Sequence, residues 1–342
     1  MMMKQRIFLL LTLVMVSGLS AKSQQRSLYS QYMFNDLAVN PAVAGVRNFI
    51  PLHFSVRRQW MGIREAPSVQ NLSGHGYIGK DFGLGVNFYN QTAGPSRRAG
   101  FEFSTAYHID LTEGGEEARS HCLSFGLAAS MFQYVIDKNQ LTTDLPDDPA
   151  IVGVVNNQVI PEANFGAYYQ KGPFYAGFSV FNLLQTKRFL IDNPYNTFQQ
   201  VRRTYYLTSG YRYKASDGIT LDNSVMLQSM ESLAKVSFQK GNSAIPFQFD
   251  INSRIIYKDL VFFGLSYRFK DAMVGHVGIQ RPSFRIAYSY DYSVSSFVDY
   301  NSGSHELGLT LFLVPSVGTG TAVVPPKRGE QSPRRTIQFK KN

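Results

Sequence analysis

Residues that build covalent staples and reactive centres are scarce: the chain has one Cys and one Trp in 342 residues. A lone Cys122 excludes an intrachain disulfide and a thiolate metal cluster. The six His, at positions 53, 75, 108, 121, 276 and 305, are nowhere paired at metal-ligand spacing. No Gly-x-Ser-x-Gly elbow, His-Glu-x-x-His run or constrained carboxylate pair occurs. Gly74 to Asp81 approaches a phosphate loop, but Asp81 stands where Ser or Thr would hold magnesium, and an acid there repels phosphate. Asp147 and Asp148 lie in a Pro-rich loop and read as solvated surface or a weak cation contact. An enzyme is not expected, nor is a cofactor.

Long hydrophobic runs are also missing. The longest, Ile7 to Val16, is too short for a helix that crosses a bilayer, which needs about 20 residues. It follows Lys4 and Arg6 and precedes Ser17-Gly18-Leu19-Ser20-Ala21, the pattern of a signal peptide over residues 1–21 cleaved after Ala21. No Cys follows that position, which excludes a lipoprotein anchor. A mature chain of this kind crosses a membrane, if at all, with strands. The net charge of +10 is unevenly placed. Lys4 and Arg6 leave with the signal, and the last residues hold Lys327, Arg328, Arg334, Arg335, Lys340 and Lys341 against Glu330. The body between is close to balanced, so no nucleic-acid partner is expected.

What the chain has in abundance is alternation. From Phe49 to Leu313, fourteen segments place apolar residues at every second position between turn signals. Phe82, Leu84, Val86 and Phe88 share one face opposite Gly83, Gly85 and Asn87, and Leu307, Leu309, Leu311 and Leu313 share another opposite Glu306, Gly308 and Thr310. The segment starting at Val201 groups Val201, Arg203, Tyr205 and Leu207 on one face. Short connections such as Lys171-Gly172 and Arg281-Pro282 alternate with long ones at 137–158, 183–199 and 229–244. Two connections break that rule, a long one at 110–120 and a short one at Lys270-Asp271. Even strand number and alternating loop length are features of a bacterial outer-membrane barrel. The 20 Tyr and 26 Phe suit interfacial girdles. A soluble sandwich also alternates, but its outer face would be charged; here one face is bare of charge for whole strands.

The opposite face carries Arg57, Arg202, Arg212, Arg254, Arg268 and Arg285 with Glu102, Asp222, Asp250, Asp291 and Glu306. Mixed sign is unlike an ion-selective pore. It fits ion pairs to something that fills the lumen, or a solvated lumen without a guest. Ahead of the strands, Tyr29, Tyr32, Met33, Asp36 and Leu37 follow helical spacing until Asn40-Pro41 stops it. Residues 22–48 read as a plug docked on the barrel, or as a loose lead-in. For a plug, Tyr32, Phe34, Asn35, Asn40 and Pro41 are the expected contacts. Trp60, beside Arg58, is either an interfacial anchor or a structural or partner contact near the plug. Residues 314–342, rich in Pro and Gly, read as a flexible basic tail on the periplasmic side, free or bound to an acidic subunit or anionic polymer.

Several short motifs together resemble one family. Gln31-Tyr32-Met33-Phe34-Asn35, Asn40-Pro41-Ala42 and Ala44-Gly45 are followed by Arg58-Gln59-Trp60-Met61-Gly62 and Ala66-Pro67. Near the end come Tyr288, Tyr290, Asp291 and Tyr292, then Gly303-Ser304-His305-Glu306-Leu307. In order and spacing these resemble the PorP/SprF family of type IX secretion outer-membrane proteins over about residues 28–313. The resemblance implies an outer-membrane barrel in the protein-secretion and gliding-motility machinery. Its implied partners are periplasmic ring and peptidoglycan-binding subunits and secreted cargo domains, in contact with outer-membrane lipid. Separately, the even strand number returns the C-terminus to the side where the chain entered, which puts both termini in the periplasm. The tail is a departure from the family pattern. A passive channel or small-molecule transporter, and an adhesin acting by its own loops, are the alternatives.

Overall fold

The structure, a computed structural model, describes residues 29–79, 81–111, 121–137, 140–141, 157–189, 198–231, 247–295 and 298–313. The signal peptide, residues 22–28 and the tail from 314 lie outside the described residues, as does Leu233 to Phe238.

Fourteen antiparallel strands close into a barrel. They are β1 (Ile50–Arg58), β2 (Ser68–Gly79), β3 (Phe82–Ala93), β4 (Ser96–Asp110), β5 (His121–Ile136), β6 (Asn157–Lys171) and β7 (Phe174–Phe181), then β10 (Thr204–Ser216), β11 (Ile219–Met230), β12 (Phe247–Tyr257), β13 (Val261–Arg268), β14 (Ala272–Gln280), β15 (Phe284–Ser293) and β16 (Ser304–Leu313). Between β7 and β10 a separate hairpin is formed by β8 (Lys187–Phe189) and β9 (Phe198–Gln200). The barrel closes where β1 meets β16, from Ile50 opposite Leu313 to Arg57 opposite Glu306. Closure leaves no unpaired edge, which a structure in hydrocarbon requires because no water is there to satisfy free N–H and C=O groups.

Alternation sorts the side chains as the period of two demands. In β13, Phe263, Leu265 and Tyr267 point outward and are exposed, while Phe262, Ser266 and Arg268 are buried inside. Phe54, Phe88, Phe103, Leu127 and Leu207 continue the outer apolar band around the wall. Arg or Lys on that band would cost about 2–4 kcal/mol at the bilayer midplane, which is why the charges sit on the other face.

Several strands run past the limits that alternation suggests. β4, β5 and β6 have 15, 16 and 15 residues, beyond the 9–11 or so that cross a bilayer. The added residues and the neighbouring ends of β2 and β3 carry polar groups on the outer surface: Asn90 donates to Gln70, Arg97 to Asn90, and Gln133 to Asn157. Where a strand leaves lipid its outer face no longer needs apolar residues, so the pattern fades while the ladder continues. For the same reason β3 and β4 are joined by Gly94-Pro95 alone, a third departure from alternating loop length, with Gly94 at φ +54°. A correction falls at Val201, which was grouped with Leu207. β10 starts only at Thr204, and Val201 is instead buried against Phe132 and Ile160 inside. Its N–H donates to the Thr186 carbonyl outside the barrel ladder, so the strand's alternation does not reach it.

Candidate functional site

The barrel has two unlike ends. At the end holding Ile50 and Leu313, connections are 80–81, 172–173, 217–218, 258–260 and 281–283, with 111–120 longer. At the opposite end lie the long connections 137–156, 182–203 and 231–246. These are called the turn end and the loop end.

Residues 29–49 pass through the lumen between the two. Tyr29 lies with Arg98, Glu102, Asn164 and Asn182, toward the loop end. Gly45 donates to His75 Nδ1 near the turn end, and β1 then begins at Ile50. At Tyr29 this segment therefore lies toward the loop end, while Leu313 ends the last strand at the turn end. Instead of the short helix that the spacing suggests, the segment makes three single 3₁₀ turns, Tyr32–Phe34, Asp36–Ala38 and Pro41–Val43. Its backbone cannot satisfy itself in so short a span, and the wall supplies what is missing. Ser179 Oγ donates to the Val39 carbonyl, and Asn40 Oδ1 accepts from Ala42 N at 2.9 Å while its amide donates to Ala167 O at 3.0 Å. Pro41 occupies the first position of the third turn, where its missing N–H costs nothing.

Asn35 joins a ladder of amides. It donates to Asn71 Oδ1 at 2.7 Å and accepts from Ser73 Oγ at 2.8 Å, and Asn71 in turn donates to Asn87. Phe34 packs on Phe262 with centroids 5.3 Å apart and lies beneath the guanidiniums of Arg254 and Arg285, at 4.4 and 4.7 Å. Tyr32 is buried in the same cluster with Met33, Phe181 and Tyr206. Arg47 pairs with Asp36 within the segment.

Two wall glycines allow this approach. A Cβ on Gly126 would lie 2.4 Å from Ala42 N and 2.5 Å from Pro41 C, and one on Gly83 would lie 2.0 Å from Ala44 O. Neither residue was singled out from the sequence. The available signal was the run of glycines on the face opposite the apolar one.

The inward charges fall into two groups. At the loop end Arg57 meets Asp291 at 2.8 Å and Glu306 at 3.3 Å, and Arg268 meets Asp250, Asp271 and Asp291 at 3.1–3.3 Å. Ser30 sits among them: its hydroxyl donates to Asp291 and accepts from Arg57 and Arg268, and its N–H donates to Glu306 at 2.7 Å. Gln31 adds a bond to the Glu306 carbonyl at 2.9 Å. Toward the turn end, Arg212 and Arg254 both reach one oxygen of Asp222 at 2.6 Å, and Arg285 donates to Gln280. Arg202 belongs to neither group; it precedes β10, and its carbonyl accepts from Asn182. Arg58 is exposed at the loop end of β1, opposite His305 and Ser68. Trp60, at φ +47°, donates its N–H to Ser304, and Met61 exchanges backbone bonds with Gly303 and Ser302. That stitches the β1–β2 connection to the β15–β16 connection. Among the described residues no His, Cys, Asp or Glu cluster suits a metal ion.

A closed barrel with an apolar outer band and polar interior defines an outer-membrane β-barrel. The family model described as "Type IX secretion system membrane protein PorP/SprF" matches residues 21–311, and the chain belongs to that family. It is thus an outer-membrane component of type IX secretion. A comparison with curated proteins found no match. Among solved structures, the chain is similar to a TodX monoaromatic hydrocarbon channel mutant (9% identity, TM-score 0.43, covering 81% of this chain and 94% of that one). It is also similar to Omp33 of Acinetobacter baumannii (8%, 0.41, 79% and 100%) and to the KdgM porin (9%, 0.35, 76% and 98%).

Proposed function

We propose that this protein is a non-enzymatic, plugged barrel that serves type IX secretion and gliding through its two end faces rather than by passing solutes. The observation that carries this reading is the burial of residues 30–44 across the lumen, held by Ser30 at one end and by Asn40 and Gly45 nearer the other. A pore built for free diffusion would keep its polar wall for water; here Arg57, Arg268, Asp291 and Glu306 are spent on Ser30 and one another. The turn end faces the periplasm, where the ring and peptidoglycan-binding subunits dock, and the loop end faces outward, toward secreted cargo. The basic tail after Leu313 starts from the turn end and makes a loose, charge-driven contact in the periplasm. Trp60 and Arg58 belong to the loop-end face.

The test is affinity recovery of periplasmic subunits with the full chain and with a chain ending at residue 315. Recovery is expected to fall on truncation, with barrel insertion intact, and the full chain's recovery to drop as salt rises. Equal recovery and equal cargo export at every salt concentration would remove the tail from the reading.

A further inference from the structure

At the turn end, below Phe34 and Asn35, the lumen opens into a cavity of about 130 Å³. Five arginines line it, Arg47, Arg212, Arg254, Arg281 and Arg285, against Asp36 and Asp259. Asp222, which holds both Arg212 and Arg254, adds one more negative charge, so positive charge remains in excess. Arg254 is 3% exposed, and its Nε is buried with no hydrogen-bond partner among the described residues. A buried guanidinium N–H without an acceptor is costly, and Gly264 keeps the space it needs, since a Cβ there would meet the Arg254 stem at 2.5 Å. Arg281 stands exposed on the rim, in the β14–β15 turn. The rest of the wall joins an apolar and aromatic part, Phe34, Phe49 and Phe312 with Pro51 and Pro282, to polar side chains that include His53, His75, Gln280 and Thr310.

We infer that this cavity is a binding site for an acidic peptide segment, its carboxylates taken by Arg254, Arg281 and Arg285 and an intervening apolar side chain laid against Phe49 and Phe312. Guanidinium forks match carboxylates two bonds at a time, which gives geometry as well as attraction. The aromatic wall is what separates a peptide from a bare anion, which would leave it unused. Lipid is disfavoured because the cavity lies inside the ring of strands, whereas Phe54, Leu309 and Leu311 face the bilayer on the other side. The site does not depend on which end of the barrel faces the periplasm or on the tail, so it stands or falls separately from the proposed function.

The probe is a fluorescently labelled Glu-Phe-Glu peptide added to the full-length protein in detergent, followed by anisotropy. Saturable binding that weakens with salt is expected, with a Gln-Phe-Gln peptide failing to compete. Arg281→Gln is expected to weaken it roughly tenfold, as is Arg285→Gln. Arg281 is exposed, so its variant tests the site even if the Arg285 variant folds poorly. Arg64→Gln, an exposed arginine on the β1–β2 connection at the loop end, is expected to leave binding unchanged. Competition by Gln-Phe-Gln, insensitivity to Arg281→Gln, or no binding at millimolar peptide would overturn the assignment. Equal competition by inorganic phosphate would reassign the cavity to simple anions, and displacement by vesicles rich in anionic lipid would reassign it to lipid; both overturn the peptide.

Discussion

Gly126 offers the sharpest perturbation of the lumen. It lies on the inner face of β5 against the third turn of the N-terminal segment, and a methyl there falls 2.4–2.5 Å from Ala42 N, Ala42 Cα and Pro41 C. All three atoms are backbone, so no side chain can rotate away. Gly126→Ala has to push the turn off the wall by roughly an ångström in a close-packed interior, and overpacking of this kind costs about 1–3 kcal/mol. Gly126→Leu leaves no room for the turn at all. Releasing it exposes Val39 and Val43, now 6% and 1% exposed, at about 1.5–3 kcal/mol each, and forfeits the Asn40 bond to Ala167. The total is about 4–7 kcal/mol, and it detaches the segment without touching a strand ladder. Two assays read this. Urea unfolding of the refolded protein should show the graded loss. Limited trypsin digestion should cut at Arg47 in the Leu variant while the wild type resists, because Arg47 is paired with Asp36 and only 19% exposed. Phe125→Leu, facing lipid on the next residue, should change neither. Equal urea midpoints for Gly126→Leu and wild type, with Arg47 still protected, would refute the docking described for this turn.

Three further outcomes are expected. Arg268→Met should destabilise the barrel by about 3–5 kcal/mol in urea unfolding, since Asp250 and Asp291 are left buried beside fewer cations; a loss below 1 kcal/mol or so would mean the cluster is solvated. Leu265→Arg, on the outer band, should cost about 2–4 kcal/mol and slow insertion into bilayers, whereas Gln133→Arg, where the outer wall is already polar, should be nearly neutral; equal costs would misplace the membrane boundary. An epitope tag inserted at 145 or 193 should be labelled on intact cells, and labelling only after permeabilisation would reverse the two ends.

The wall was legible in the sequence because lipid imposes period two on every strand that crosses it. The apolar faces of β3, β13 and β16 follow it without exception over the spanning residues. Legibility faded where that pressure ended. The outer parts of β4, β5 and β6 carry Arg97, Gln133 and Asn157 facing water, and only hydrogen bonding between strands marks them as strand. The charged inward residues could be named but not grouped. Which of them meet depends on register and stagger around a closed wall, as when Arg57 in β1 reaches Asp291 in β15 across β16. The local shape of residues 32–43 was misjudged because helical spacing of Tyr32, Met33, Asp36 and Leu37 arises here from successive 3₁₀ turns, each pinned by the wall. Gly83 and Gly126 were hidden for a different reason. A glycine on an inward face looks the same whether it faces water or a backbone pressed against it.

Single-channel recording of the purified full-length protein in planar bilayers tests the central claim most directly. With residues 30–44 buried across the lumen, the barrel is expected to hold no steady open current, and removal of residues 29–44 is expected to produce one. A steady porin-like conductance from the intact chain, unchanged by that removal, would contradict the account.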